Sequence, residues 1–291
     1  MDNNLPKTIW FLWLQGLTEA PLVVKQCYES WLKHNPDWKI IFLDEHNIAD
    51  HVSLPQHKVT NQAYSDILRI NLLAKYGGVW VDATCFCTKP LNEWLYDNMA
   101  SGFFAFERPG PDRMISSWFI ACDKYNFIAN AYQKVVNAYW DASPKMVYIE
   151  DSRWRFMNKY LQKQGTEVWF SAFVSKVLRV HPYFWFHYLF EHVYLKDANF
   201  KELWDTSPKI SSDIPHKLQF AGLFKPLSDE VKAEIDHKTA PLYKLTWKYD
   251  TAKSLEKTNI DTCSNPDHQF IRFTKFFKLR KSLYTLYFTN H

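Results

Sequence analysis

The segment of residues 61–84 constrains the fold more than any other part of the chain. Apolar residues recur in it at helical spacing, which predicts an amphipathic helix over residues 61–76. Asn61 is the expected N-cap, and Gly77 stands just past the helix end, where a left-handed backbone conformation is common. The apolar run at residues 79–81 predicts a short buried strand. A helix that leads through a glycine pair into a buried strand is typical of an α/β sheet.

The N-terminal part of the chain carries further strands of such a sheet. Its patterns predict strands at residues 7–14 and 38–43, separated by a helix that begins at Pro21. Short links between these three elements are typical of the start of an α/β fold. Shorter strands are expected around residues 103–106 and 118–121.

Beyond residue 125 the pattern turns mostly helical. Helices are expected at roughly residues 126–141, 150–164, 166–178, 183–195 and 228–236, and a long loop at residues 208–226. The sequence therefore predicts one α/β unit, in which a sheet-forming N-terminal half packs with a mostly helical C-terminal half.

Composition removes several classes of function. The chain has 7 glycines and no GxGxxG or GxxxxGK[ST] motif, so a glycine-rich phosphate loop is excluded. Five of the 35 basic side chains lie in residues 270–291, and the other 30 face 31 acidic ones. The body of the protein is therefore neutral, and we expect no nucleic-acid partner. The five cysteines form no CxxC pair, which argues against a disulfide framework or a zinc site.

The sequence also predicts a cytoplasmic location. The first ten residues, MDNNLPKTIW, lack the basic and apolar regions of a signal peptide, and no run of about 18 apolar residues occurs. The cysteines are then expected to be reduced and buried. Cys85 and Cys87 alternate in a predicted strand, so both should point to one face.

Three charged residues of the 61–84 segment are candidates for chemistry. Asp66 and Arg69 are three residues apart, so they share one face of the predicted helix, and apolar neighbours favour a partly buried pair. Asp82 follows the short strand, and carboxylates at the carboxyl ends of strands in open α/β sheets face the ligand crevice. Simpler interpretations remain open: a helix ion pair for Asp66 and Arg69, and a cap or turn residue for Asp82.

These residues carry a resemblance to known sugar transferases. The pattern S-D-I-L-R, then Y-G-G-V-W-V-D, over residues 65–82 resembles glycosyltransferase family 32, the capsular-polysaccharide-synthesis proteins and the glucosyltransferase domains of large clostridial toxins. In those relatives the pattern reads S-D-x-x-R, then Y-G-G-hydrophobic-Y-x-D-x-D. The resemblance is closest to the capsular group and covers most of residues 5–250. Supporting segments are residues 6–10 (PKTIW), 30–38 (SW to NPDW), 183–191 (YFWFHYLFE) and 243–248 (YKLTWK).

The resemblance implies a GT-A glycosyltransferase fold, with a Rossmann-like nucleotide-binding sheet, over residues 1–250. It implies transfer of a hexose from a UDP-sugar, with retention at the anomeric carbon. Galactose and glucose are the first candidates for this hexose. Asp66 and Arg69 would contact the donor, and Asp82 would be the first acid of the D-x-D motif, reaching Mn²⁺ (or Mg²⁺) and the ribose. The residues that would lie near the uridine are Trp10, Leu12, Trp13 and Asp44.

Elementary chemistry agrees with this implication. Departure of UDP leaves negative charge on a diphosphate, which a divalent cation and cationic side chains must neutralise in the absence of a glycine-rich loop. Carboxylates suit Mg²⁺ and Mn²⁺ because these are hard, oxygen-seeking ions. The Arg69 guanidinium offers a planar set of donors for phosphate or sugar oxygens.

One position departs from the family pattern, because Thr84 stands where the second acid of D-x-D is expected. A hydroxyl is a weaker metal ligand than a carboxylate, so the metal is held by Asp82 and Thr84 with a distal ligand, or it is weakly held or absent. His216 is the candidate distal ligand. Lys244, or less favourably Lys217, would instead hold the diphosphate, and each of these also has a plain surface interpretation.

Other polar residues compete for roles toward the acceptor. His187 and Trp118 are candidates for the acceptor or sugar pocket, although a core or helix-face position is the favoured interpretation of His187. Glu150 and Asp151 are also candidates, but the first turn of a helix is their favoured interpretation. No Ser-His-Asp or Cys-His set stands out in the sequence, which also does not identify a covalent nucleophile. One route needs no such residue. The departing diphosphate itself would then accept the proton of the acceptor, in a front-face displacement.

Residues 270–291 alternate aromatic side chains with five cations and contain no acid. Such a segment is typical of a helix that docks on an anionic membrane surface. A helix packed on the domain with a solvated basic face, or a nucleic-acid tail, are the alternatives. Membrane docking would suit an acceptor that is itself anchored in a membrane by a lipid.

The sequence thus predicts a bacterial, peripheral glycosyltransferase at the inner face of the cell membrane. Its domain, residues 1–250, would act on a lipid-linked oligosaccharide of a capsule, exopolysaccharide or O-antigen, and residues 251–291 would form the tail. Three alternatives remain open: a catalytically degenerate relative that binds sugar nucleotides, a membrane-tethered interaction protein, and a metal-independent transferase.

Overall fold

The computed structural model describes residues 4–54, 59–142, 166–221 and 237–247, together with residues 156, 160, 229, 230 and 233. Helices are predicted at residues 150–164 and 228–236, but most residues of these two ranges lie outside the described residues. The whole of the predicted tail at residues 251–291, which includes Cys263, also lies outside them.

Two sheets organise the described part of the chain. Their strands are β1 (Thr8–Leu12), β2 (Lys39–Leu43), β3 (Gly78–Asp82), β4 (Cys85–Cys87), β5 (Phe103–Gly110), β6 (Arg113–Cys122) and β7 (Leu242–Lys244). The central sheet has the order β2-β1-β3-β6-β5, and β4 pairs with β7 in a second sheet. β1, β2 and β3 are parallel, whereas β6 runs antiparallel to β3 and to β5. The α/β prediction is confirmed.

Helices surround the central sheet. They are α1 (Gly16–Glu19), α2 (Leu22–His34), α3 (Ile48–His51), α4 (Asn61–Tyr76), α5 (Phe127–Asp141), α6 (Trp185–Lys196), α7 (Ala198–Thr206) and α8 (Asp213–Ala221). Single turns of 3-10 helix lie at Leu91–Glu93, Tyr96–Asn98 and Thr166–Phe170, and a π-helical turn at Phe173–Leu178.

Two of the helix predictions need correction. The helix predicted at residues 166–178 is a 3-10 turn followed by a π turn. The loop predicted at residues 208–226 contains α8, which packs against β5 and β7. Proline-rich flanks hide this helix in the sequence, because contacts with the two strands, rather than local propensity, stabilise it.

The sheet divides the core into two layers. Trp10, Leu12 and Trp80 point to the face covered by α4, α5 and α6, whereas Phe11 and Val81 point to the face covered by α2 and β4. This alternation is the period of two expected of strand residues. Both faces are buried, which explains why the strands read as continuous apolar runs.

The α4–β3 connection is built as the sequence predicts, with one change. α4 spans the predicted residues, but its N-cap is Thr60, whose hydroxyl accepts a hydrogen bond from the Ala63 amide, and not Asn61. Gly77 and Gly78 have φ values of 69° and 93°, which favour glycine. A Cβ on Gly78 would lie 2.6 Å from the Thr8 carbonyl oxygen of β1. The glycine pair therefore lets β3 start tight against β1.

The described cysteines behave as predicted. Cys27, Cys85, Cys87 and Cys122 are free and buried. Burial raises the pKa of the Cys87 thiol to about 12.

A search of the described helices for a membrane-spanning segment found none with the necessary length and apolar character.

Candidate active site

Arg69 is the centre of a charged cluster at the carboxyl edge of the parallel strands. Its guanidinium Nη2 donates to Asp82 Oδ1 at 2.8 Å, and its Nη1 donates to Asp66 Oδ1. The register pairs Asp82 with Leu12 at the end of β1, and Leu12 with Leu43 at the end of β2. The three residues that the sequence singled out are therefore brought together, at the edge where α/β sheets bind ligands.

Aromatic rings hold the Arg69 guanidinium in place. It lies 5.0 Å from the centre of the Trp80 ring and 5.3 Å from that of Phe186, and its side chain is only 3% exposed. Trp80 Nε1 also donates to Asp82 Oδ1 at 3.0 Å. A planar cation fits between rings while its edge serves two carboxylates, so the orientation of Asp82 is fixed from two sides.

The pKa values of Asp66 and Asp82 are shifted in opposite directions. Burial raises the pKa of Asp66 to about 6, against the opposing effect of the Arg69 charge. Burial acts on Asp82 in the same sense, but the charges of Arg69 and Lys244 outweigh it and lower the pKa of Asp82 below its usual value. Asp82 is therefore ionised at neutral pH, as a residue that orients cationic groups must be.

Lys244 completes the cluster from a distant part of the chain. Its Nζ donates to the Thr84 hydroxyl at 2.5 Å and lies 3.9 Å from Asp82 Oδ2. The pairing of β7 with β4 places Lys244 opposite Cys85, which directly follows Thr84 and is three residues after Asp82. The second sheet thus carries a lysine into the site from 160 residues away in the sequence.

His216 borders the same cluster. It is buried, and its ring lies 5.3 Å from the ring of Trp118. Burial, with the nearby Lys244 and Arg113 charges, lowers the pKa of His216 to about 4, so the imidazole is neutral at pH 7. The Trp118 indole Nε1 is buried without a hydrogen-bond partner in the described part of the chain. Such an orphan donor is the kind of group that a sugar hydroxyl would satisfy.

The four residues predicted near uridine differ in their positions. The Trp10 indole lies in the core, where its Nε1 donates to the Gly77 carbonyl at 3.0 Å, and Leu12 packs in the same core layer. Asp44 accepts hydrogen bonds from the amides of His46 and Asn47, which shapes the turn after β2. The uridine role of these residues stays a prediction, and the side chains of Trp10 and Leu12 are buried in the core.

Trp13 fits the prediction better. It follows β1 at the carboxyl edge and is only partly buried, and its Nε1 is a buried donor without a partner among the described residues.

The remaining candidate residues predicted from the sequence lie on α6, on α8 or outside the described residues. His187 is buried on α6, and burial, followed by the Arg113 and Arg69 charges, lowers its pKa to about 3. Lys217 lies 3.6 Å from Glu230 Oε1. Glu150 and Asp151 lie outside the described residues.

Sequence reasoning missed the hairpin between β5 and β6. There Asp112 accepts a hydrogen bond from the Tyr188 hydroxyl, and the Arg113 guanidinium lies 3.9 Å from the Phe184 ring centre. Further along β6, the Ser116 hydroxyl is buried without a partner in the described chain. The available signal was the run Pro-Gly-Pro-Asp-Arg at residues 109–113, since proline, glycine and aspartate are typical of a turn.

Comparison with known proteins decides the family. The family model described as "capsular polysaccharide synthesis protein" matches residues 1–150 and 148–263. The chain belongs to the capsular polysaccharide synthesis protein family. The resemblance to the capsular-polysaccharide-synthesis proteins is thereby confirmed.

Curated relatives of this capsular-family chain are fungal glycosyltransferases. O-glycosyltransferase braB of Annulohypoxylon truncatum is 25% identical over 162 residues, which is 47% of this chain and 38% of braB. The probable glycosyltransferase FCK3 of Fusarium pseudograminearum is 27% identical over 166 residues, or 50% of this chain and 42% of that protein. The match thus spans about two fifths of each relative's length. Among solved structures, the match to PaToxG glycosyltransferase covers 69% of this chain and 76% of the PaToxG chain, at 15% sequence identity and a TM-score of 0.36.

The residues expected to hold a metal in this family member do not form a fitting donor set. Of Asp82, Thr84 and His216, only Asp82 is an anion. The hydroxyl of Thr84 accepts from the Lys244 ammonium instead of facing a metal. In the described ranges, no group of three His, Cys, Asp or Glu side chains is arranged to hold a metal ion.

Proposed function

We propose that this protein is a retaining glycosyltransferase of the GT-A type that transfers a hexose, galactose or glucose, from a UDP-sugar. The convergence of Arg69 and Lys244 on Asp82 at the carboxyl edge of the sheet is the observation that carries the proposal. Family membership and the fungal relatives support the transferase class. The UDP donor, the hexose and the retaining outcome come from the sequence resemblance.

The proposed donor suits the charges of the cluster. A diphosphate needs cations, and Arg69 and Lys244 supply two that are already oriented by Asp66, Asp82 and Thr84. Preorganised charges of this kind stabilise negative charge that develops on a leaving group, because they need not reorient during the reaction. We therefore assign the diphosphate to the space bordered by Arg69 and Lys244.

Neighbouring residues fit the rest of the donor. The partly buried Trp13 offers a flat ring and a free Nε1 donor to the base. The buried donors of Trp118 and Ser116 face no partner in the described chain, so we assign the sugar and acceptor hydroxyls to their side of the cluster.

The proposed step needs no covalent nucleophile on the protein. The bond between the anomeric carbon and the diphosphate oxygen breaks, and its electron pair leaves with UDP. The acceptor hydroxyl oxygen forms the new bond to the same face of that carbon, and its proton passes to a departing phosphate oxygen. Arg69 and Lys244 would stabilise the charge on UDP, and Asp82 would hold both cations in place.

A membrane-anchored acceptor extends the proposal. We propose that the acceptor is a lipid-linked oligosaccharide and that the basic residues 270–291 bring the enzyme to the inner membrane surface. The description of the family supports a role in surface polysaccharides. The bacterial setting stays a prediction from the sequence, since the curated relatives reported above are fungal.

One observation favours a second function. Thr84 replaces an acid of the D-x-D pattern, as it would in a degenerate relative that binds sugar nucleotides without turnover. Release of free hexose from UDP-galactose or UDP-glucose separates the two. Slow hydrolysis supports the transferase, whereas nucleotide binding without any hydrolysis supports the degenerate relative.

Calorimetric titration of UDP into the full chain, with GDP for comparison, tests the donor site. We expect UDP to bind and Asp82→Asn to weaken binding at least about tenfold, because Arg69 and Lys244 lose the charge that orients them. Asp205→Asn is the matched control, since Asp205 is an exposed partner of Lys201. If UDP does not bind, or if both variants bind it equally well, the proposed donor site is wrong.

A further inference from the structure

We propose that the Lys244 ammonium takes the place of the divalent cation, so that the site binds its nucleotide diphosphate without a metal ion. The inference rests on the proposed function, because a nucleotide diphosphate is the ligand that needs the cation. It opposes the Mn²⁺ expected from the family resemblance.

The first argument is position. Lys244 Nζ lies between the side chains at the two D-x-D positions, 2.5 Å from Thr84 Oγ1 and 3.9 Å from Asp82 Oδ2. A metal held by this pair would need the same space. The ammonium is well anchored there, because Nζ also donates to the Leu245 carbonyl at 3.0 Å and the side chain is only 14% exposed.

The second argument is charge. Asp82 Oδ1 already accepts hydrogen bonds from Arg69 and Trp80, and Oδ2 faces Lys244. Asp82 is thus flanked by two cations, of which Arg69 is shared with Asp66 and Lys244 is not. A divalent ion beside Oδ2 would lie within a few ångströms of the ammonium, and like charges at that separation repel strongly in a partly buried site.

The third argument is the identity of Thr84. A carboxylate there would neutralise the Lys244 ammonium, whereas a hydroxyl orients it and leaves its positive charge for a ligand. An ammonium has three N–H donors. Two are used by Thr84 Oγ1 and the Leu245 carbonyl, which leaves one for a phosphate oxygen. Thr84 and Lys244 therefore act together. The hydroxyl at the second D-x-D position orients the Lys244 ammonium, which supplies the positive charge that a metal ion would otherwise supply.

Calorimetric titration of UDP into the full chain, once with EDTA and once with Mn²⁺, tests the inference. We expect the two dissociation constants to agree within about threefold, and Lys244→Met to weaken binding in EDTA by about tenfold or more. Lys209→Met is the matched control, because Lys209 is also a partly buried lysine that donates to backbone carbonyls. Binding of UDP that EDTA abolishes would overturn the inference.

Electron paramagnetic resonance of Mn²⁺ supplies a readout that does not depend on the nucleotide. We expect the full chain to leave the spectrum of free Mn²⁺ unchanged, and the double variant Thr84→Asp, Lys244→Met to retain the ion. Retention of Mn²⁺ by the unaltered chain and its loss in Asp82→Asn would overturn the inference.

The two measurements also separate this inference from the proposed function. If UDP binds in neither buffer, the donor assignment fails, and the resonance spectrum of the unaltered chain still decides whether Asp82 holds a metal. If the double variant does not fold, the unaltered chain alone gives the answer in both experiments.

Discussion

Arg69 joins two acidic residues that α4 and β3 supply separately. Its removal would leave Asp66 and Asp82 without their shared cation in a buried setting. Breaking a buried ion pair on one side is strongly destabilising, because the remaining charge is uncompensated.

We predict that Arg69→Met lowers the free energy of unfolding by about 3–5 kcal/mol, measured by urea denaturation. Lys201→Met is the control, because the Lys201–Asp205 pair is about half exposed and such pairs contribute roughly 1 kcal/mol or less. Equal losses in the two variants would contradict a structural role for the Arg69 cluster.

Buried histidines make the stability depend on pH. The ordinary pKa of histidine is 6.5. Burial lowers the pKa of His181 to about 4. Burial is also the largest cause of the lowered pKa values of His187, about 3, and His216, about 4. Between these values and pH 6.5 the unfolded chain binds more protons, so stability falls as the pH drops below about 6.5. Asp66 acts in the opposite sense, since its raised pKa favours the protonated folded state. Burial also raises the pKa values of Asp123 and Glu191, which act with Asp66, and lowers that of His192, which acts with the other histidines. The four histidines together outweigh the three acids.

We predict a lower melting temperature at pH 5 than at pH 7, and a smaller difference in His181→Phe. The replacement keeps an aromatic ring against Trp140, whose ring centre lies 5.4 Å from that of His181, and removes one titrating group. Thermal unfolding monitored by circular dichroism at both pH values measures the difference. An unchanged pH dependence in the variant would show that His181 does not contribute.

At the scale of elements, the glycine pair between α4 and β3 determines how closely β3 approaches β1. Gly78→Ala should destabilise the protein by more than about 2 kcal/mol, because its φ is 93° and the new Cβ would meet the Thr8 carbonyl. Gly16→Ala is the matched control. Gly16 also has a positive φ, of 79°, but its nearest neighbour would be 4.0 Å away, so about 1 kcal/mol is expected. Urea unfolding of both variants measures the contribution of the close approach.

The N-terminus of α4 offers a second test at this scale. We predict that Thr60→Ala costs about 1 kcal/mol of stability, because the Thr60 hydroxyl accepts from the Ala63 amide. Asn61→Ala should cost much less, since Asn61 is already inside the helix. The reverse order in thermal or urea unfolding would restore Asn61 as the cap.

At the scale of the whole molecule, the basic tail and the site are expected to act independently. We predict that replacing the five cations of residues 270–291 with Gln abolishes binding to phosphatidylglycerol vesicles and leaves UDP binding unchanged. Each cation near an anionic surface contributes about 1 kcal/mol, so their joint loss removes the attraction. Vesicle sedimentation measures binding, with phosphatidylcholine vesicles as the control. Equal binding to both lipids by the unaltered chain would contradict electrostatic docking.

The sequence by itself determined the local architecture. The apolar periodicity of α4, the glycine pair and the apolar run of β3 predict a helix, a tight turn and a buried strand, and each depends on neighbouring residues alone. The same pattern placed Asp66 and Arg69 on one helix face and Asp82 at a strand end. The α/β class and the three central residues of the site could therefore be read without coordinates.

Only the tertiary structure decided which other side chains join the site. Lys244 reaches Thr84 because β7 pairs with β4 across 160 residues, and no periodic pattern encodes a pairing between strands so far apart. Trp10 and Trp13 look alike as aromatic residues of one apolar run, but Trp10 lies within β1 and is buried in the core, whereas Trp13 follows the strand and is only partly buried. Local sequence specifies periodicity and turns, whereas the position of a charge in a site depends on packing between elements that are distant in the chain.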